Sequence, residues 1–248
     1  MSFLSPYFNL NQTQERYKTK VCISAVQGSN FAKSVADDFN PIHDSDSKRF
    51  CVPGDLLFAI ALDLYGVHES MEFDFQELIK ADTCLAYPQL AESDAHSVAV
   101  LSDRDKPVLA IQLGGAATNS DLRLEQLVRN YVVFSGQNFP GILVPLMKAH
   151  DVMINPARPL VIYESMSLHF DDLGFSDLRI ELGETSLSVN GKRGNAQLHF
   201  NLFDGDRQIG NGLKRLVLSG LRQYEQGAMD SMCQQYNESK LTKSTELS

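Results

Sequence analysis

The chain has 248 residues, 43% of them hydrophobic and 21% charged, enough to bury a sizeable core in one large domain or two ordinary ones. Its formal net charge of −9 excludes the positive footprint that nucleic acids and anionic membranes require. No apolar run approaches the roughly 18 residues of a membrane span, and the first eight residues lack the basic and apolar regions of a secretory signal, so a cytoplasmic location is expected.

Residues 1–20 are polar and irregular, and read as a loose arm. Val21 to Val26 has strand composition and runs into Gly28-Ser29-Asn30, a turn that can cap a short helix over Phe31 to Asp37. Pro41 blocks helix continuation and pushes Asn40 out of the helical region. Pro53-Gly54 then opens a more apolar helix, Asp55 to Tyr65, with the Asp55 carboxylate in the first turn, where the dipole favours it. Between Met71 and Thr118 the pattern is strand-like, at Thr83 to Tyr87, Ser97 to Leu101 and Val108 to Leu113.

Leu122 to His150 is partly helical. In the last third, Ile162, Met166, Leu168 and Phe170 share one strand face, and Ala196, Leu198, Phe200 and Leu202 another. Asn190-Gly191 and Asp204-Gly205 fall where hairpin turns are needed. Residues 227–248 lose apolar periodicity and read as a polar, disordered tail. The order of helical unit followed by antiparallel strands repeats once, an α+β layout with halves at 1–120 and 121–226.

Cys22, Cys51, Cys84 and Cys233 lack CxxC or Cys/His metal spacing, and read as buried or incidental thiols rather than a disulfide framework. Five of the six histidines are dispersed, His169 and His199 within strand-like runs. Only His43 sits in a context that suggests chemistry.

That context is Asp38-Phe39-Asn40-Pro41-Ile42-His43, which resembles the active-site segment of the MaoC-like (R)-specific enoyl-thioester hydratases. Phe31 to Ala36 matches the family's preceding helix, and Phe50 to Leu57 resembles the segment opening its long helix. The close match covers roughly residues 29 to 62. The resemblance implies a double hotdog, with Asp38 and His43 sharing acid/base work on a water and the Gly54 N–H receiving the thioester oxygen. Asn40 would brace the turn. Asn40, Pro53, Asp55 and Phe58 are the candidate substrate-binding positions. The substrate would be an acyl thioester carried on coenzyme A, with no metal or redox cofactor, and the chain could pair further as a homodimer. Lys48-Arg49 is a candidate for the coenzyme A phosphates, although a solvated pair is the plainer reading.

The chain departs from the family at Ala36-Asp37, where Ser-Gly is usual, and at Pro53, where His is usual. Ser135-Gly136-Gln137-Asn138-Phe139-Pro140-Gly141-Ile142 can be read as a degenerate second copy, with Gln137 at the Asp position and Ile142 at the His position. Three other readings stand beside the hydratase: a turn in which Asp and His only cap a helix end, a non-catalytic acyl-thioester or lipid-like binding protein, and a hotdog thioesterase.

Overall fold

The computed structural model describes residues 2–11, 18–90 and 95–246. After a 3₁₀ turn at Ser5–Tyr7 come β1 (Asn9–Asn11), β2 (Lys18–Cys22) and α1 (Ala25–Ser34). A second 3₁₀ turn, Pro41–His43, precedes α2 (Gly54–Tyr65), β3 (Val67–Phe75), β4 (Cys84–Pro88), β5 (Ala95–Ser102) and β6 (Pro107–Thr118). The second half comprises α3 (Asp121–Gly136), α4 (Asn138–Gly141), α5 (Leu143–Ala149), β7 (Val152–Met153), β8 (Val161–Phe170), β9 (Leu178–Asn190), β10 (Arg193–Asp204), β11 (Arg207–Ser219) and β12 (Arg222–Gln223). A long helix, α6 (Gln226–Glu246), ends the described chain.

Ten strands form one sheet in the order β1-β2-β4-β5-β6-β3-β8-β11-β10-β9, and β7 pairs with β12 apart from it. The halves meet where β3 and β8 pair antiparallel, Ser70 opposite His169 through Asp74 opposite Ser165. The Asn190-Gly191 and Asp204-Gly205 turns join β9 to β10 and β10 to β11 as hairpins.

The helix α2 is apolar on nearly every side, and Asp55 through Leu62 is buried without interruption. Such a helix must be wrapped by protein. Phe58 meets Phe73 of β3 edge-on at 5.2 Å and Tyr131 of α3 at 5.0 Å. Ala196, Leu198, Phe200 and Leu202 of β10 are buried on one face, as their alternation requires. One core joins Phe58, Tyr131 and Phe200, and a second gathers Met147, Leu198, Leu216 and Met229. The architecture is the α+β double hotdog that the resemblance implies. Among the described residues no helix is long and apolar enough to cross a membrane.

Several local expectations are corrected. Part of the supposed arm is sheet, with Leu10 of β1 opposite Val21 of β2; residues 12–17 lie outside the described residues. The first helix starts at Ala25 and is capped by Ser24, not by the Gly28-Ser29-Asn30 segment. The Ser24 hydroxyl accepts from the Gln27 N–H at 3.2 Å, while the Gln27 side chain accepts from the Ser24 N–H at 3.0 Å. Gly28 lies within the helix, where a Cβ would stand 2.9 Å from the Phe50 ring, so the glycine serves a close approach and not a turn. The expected disordered tail is instead α6, anchored by buried Met229; residues 247–248 lie outside the described residues.

Cys22 and Cys84 sit opposite each other across β2 and β4, with Cα atoms 4.2 Å apart, and form a disulfide. The register of the strand pair, not the sequence spacing of 62, brings them together. Cys51 and Cys233 are free thiols.

Candidate functional site

The segment after α1 is set by backbone constraints. The Asp38 N–H returns to the Ala32 carbonyl at 2.8 Å, and Asp37 adopts a left-handed φ of +52° to make that return. This explains why a family that resembles this segment places glycine there, and why Asp, which tolerates that region, can replace it. The Asp37 carboxylate pairs with Lys240 of α6 and accepts from the Gln137 side chain at 3.0 Å. The second carboxylate is therefore engaged by Lys240 of α6 and by Gln137 just after α3, not by His43.

Two side-chain turns then fix the dyad. Asp38 Oδ1 accepts from the Asn40 N–H at 2.9 Å, and Asn40 Oδ1 accepts from the Ile42 N–H at 3.1 Å. From α1, Lys33 Nζ reaches the Asp44 carboxylate at 2.9 Å and the His43 carbonyl at 3.4 Å. His43 Nδ1 lies 2.7 Å from the Cys51 carbonyl oxygen. A carbonyl only accepts, so Nδ1 carries a proton and the lone pair of the neutral ring is on Nε2. Nε2 stands 3.6 Å from Asp38 Oδ2. That is longer than a good hydrogen bond, so the two groups are neighbours without a direct hydrogen bond between them.

Both line a cavity of about 860 Å³ that is walled by the two halves and by α6. Gly54, the first residue of α2, presents an N–H without an intrahelical acceptor. A Cβ at Gly54 would lie 2.9 Å from the Tyr163 ring and 3.4 Å from Phe75, so glycine is required by close approach. Next to it, Asp55 of α2 accepts from Ser135 Oγ of α3 at 2.6 Å, and Lys214 Nζ of β11 donates to the same hydroxyl. Asp55 and Lys214 are only 7% and 4% exposed, so this is a buried acid–base pair joined through a serine. Burial pushes the Asp55 carboxyl up, opposed by the Lys214 charge, and pushes the Lys214 ammonium down, opposed by Asp55 and Asp38. Tyr163 hydrogen-bonds Tyr131 through their hydroxyls.

Of the residues read from sequence, Asp38, Asn40, His43, Pro53, Gly54 and Asp55 all line this cavity. Phe58 does not, and its reading as a substrate-binding residue is corrected. Packed between Phe73 and Tyr131, it belongs to the core. Lys48 and Arg49 are exposed and lie outside the cavity lining. Ser135, Tyr163, Lys214 and Tyr236 were not anticipated. Lys214 had a signal, since it falls in phase with Gly212, Leu216 and Leu218 on the buried face of a strand. For α6 the signal was Met229, Met232 and Tyr236 at helical spacing. The two motif segments do face each other, through Gln137 and Asp37. Among the described residues, no group of three or more His, Cys, Asp or Glu side chains is placed to share a metal ion.

Cys51, which also lines the cavity, has its thiol pushed up by burial from 9.0 to about 11. At pH 8 its thiolate fraction is therefore about 100-fold smaller than that of an ordinary cysteine. Alkylation of Cys51 by iodoacetamide, followed by mass spectrometry of its peptide, is expected to be slower in buffer than in urea by about that factor. Equal rates would contradict the burial.

Residues 2–227 match the model of a family described as "Protein of unknown function (DUF3581)". No curated protein matches the chain. Among solved structures, a conserved hot dog fold protein of unknown function from Alicyclobacillus acidocaldarius aligns at 7% identity and a TM-score of 0.50, covering 88% of this chain and 98% of that one. An acyl-CoA thioesterase II, TesB2, from Mycobacterium marinum aligns at 12% identity and 0.47, covering 90% and 98%. A MaoC-like dehydratase aligns at 9% identity and 0.45, covering 86% and 98%. At these identities the likeness speaks to fold alone.

Proposed function

Since the chain belongs to the DUF3581 family, whose description carries no activity, we propose from the site itself that it is a hydratase or dehydratase interconverting 2-enoyl and 3-hydroxyacyl thioesters. The observation that carries this reading is the His43 ring. Its Nδ1 is held by the Cys51 carbonyl at 2.7 Å, which leaves Nε2 free to accept, 3.6 Å from Asp38 Oδ2. A water held between the two is shared by an imidazole and a carboxylate. One takes a proton from the water as its oxygen bonds to C3, the other accepts the water's second hydrogen and orients it, and the proton taken is then passed on to C2 of the enolate; dehydration is the reverse. The charge that develops on the thioester oxygen meets the Gly54 N–H at the positive end of α2. Adding water across C2 and C3 leaves the overall oxidation level of the acyl chain unchanged, so the step calls on no redox cofactor. Coenzyme A is the proposed carrier. The resemblance of Ser34 to Leu57 to the MaoC-like hydratases supports the same chemistry.

The test is a panel of trans-2-enoyl-coenzyme A thioesters of graded length, followed by loss of the conjugated enoyl absorbance. Turnover at one or more lengths is the expected result. Tight binding across the panel without turnover would replace the enzyme with a ligand-binding protein. Release of free thiol with the double bond intact would replace it with a thioesterase.

A further inference from the structure

The helix α6 runs from Gln226 to Glu246, whereas the family match ends at residue 227, so almost all of it lies outside the family pattern. Its inward stripe, Met229, Met232, Tyr236 and Lys240, steps by three or four residues, as one helix face requires. Met229 is buried in the second core, and Lys240 pairs with Asp37, the residue before Asp38. Between these two attachments Tyr236 donates to the Gly136 carbonyl at 3.3 Å and meets the Phe139 ring edge-on at 5.6 Å. The helix thus spans from the second core to the turn that carries the dyad. On the way Met232, Gln235, Tyr236 and Ser239 line the cavity.

The cavity wall is unlike on its two sides. Asp38, His43 and Gly54 come from the first half, whereas Leu143, Ile154 and Leu216 line it from the second core. Met232 packs against that same core and is half-buried, so part of its side chain is within reach of whatever fills the cavity. An aliphatic wall of this kind favours a hydrocarbon chain over a thioester or a charged carrier. Methionine, unbranched and adaptable, fills such a space without fixing its shape, and its length decides how much space is left.

We propose that α6 is the specificity-determining wall of this cavity and that Met232 limits the length of the acyl chain it accepts. This rests on the thioester reading above and narrows it to aliphatic chains whose far end meets α6.

The experiment uses coenzyme A thioesters of graded even length, the trans-2-enoyl series for kcat/KM and the saturated series for affinity by calorimetry. The full chain is compared with Met232→Ala, Met232→Phe and, as a control on the exposed face of α6, Asn237→Ala. Met232→Ala is expected to move the preferred length upward and Met232→Phe downward. Each should change the ratio between neighbouring lengths by about tenfold or more, since one methylene in a hydrophobic pocket is worth about 10- to 200-fold. Asn237→Ala should leave the preferred length where it was. A preferred length unmoved by either Met232 variant, or moved the same way by both, would overturn the proposal. A uniform loss at every length would make Met232 a structural anchor of α6 and overturn it equally. Opposite shifts in affinity without turnover in any chain would uphold the wall and sink the hydratase. Turnover with the preferred length unmoved would do the reverse.

Discussion

His43→Ala and Asp38→Asn are each expected to lower kcat/KM for enoyl-thioester hydration by about 10²- to 10⁴-fold, the range contributed by a positioned acid or base. Asp38→Asn is the cleaner change. An amide oxygen at this position still accepts from the Asn40 N–H, as Asp38 Oδ1 does at 2.9 Å, so the turn survives while the proton acceptor is lost. His43→Ala removes both the Nδ1 tether to Cys51 and the Nε2 lone pair. On the proposed mechanism the two groups share one water, so the double variant should be little worse than either single one. Circular dichroism and urea midpoints would establish that each variant is folded. Retention of activity within about tenfold in both folded variants would remove the dyad from the mechanism.

Lys214→Met is expected to destabilise the fold by about 3–5 kcal/mol, because it strands the Asp55 carboxylate in the interior. Asp55→Leu/Lys214→Met should recover most of that loss, since removing both charges leaves neither buried alone. The pH dependence has a definite sign. The Asp55 carboxyl is pushed above its ordinary 3.8 in the fold, so the native state holds its proton more tightly than the unfolded chain does. The contribution of Asp55 to stability is therefore lost as pH rises from that ordinary value through its raised value in the fold, and the loss is larger once the Lys214 charge no longer opposes it. Urea midpoints at pH 5 and pH 8 test this directly. A loss below about 1 kcal/mol that is the same at both pH values would show that Asp55 and Lys214 are not a buried pair.

How far the sequence discloses this site depends on whether the signal is local. The Asp38–His43 turn was legible because its geometry is encoded by consecutive residues. Proline stops a helix, and Asx side chains bond their own backbone two residues on. The apolar helix from Gly54 and the hairpins of β9 to β11 were legible for the same reason. Gly28 misled because glycine permits a turn and also permits a close helix contact, and only the approach of Phe50 distinguishes the two. The Cys22–Cys84 bond and the Asp55–Ser135–Lys214 chain join residues far apart in sequence, through strand register and the packing of α2, α3 and β11. No local pattern encodes such meetings. The helix α6 fell between these cases. Its apolar stripe is thin, and it gains its footing from Met229 in the second core and from Lys240 on Asp37.

The pairing of β3 with β8 has a consequence for how this molecule can vary. Where two identical halves assemble, any substitution is installed twice, and a change that suits one copy must be tolerated by the other. Here the halves are stretches of one chain with different sequences. Asp38 and His43 stand in the first, while Ser135, Tyr163 and Lys214 are contributed by the second. On the proposed mechanism the second half is thereby released from carrying an acid–base pair of its own. It can change the shape and polarity of the chamber one residue at a time, without any echo across the molecule.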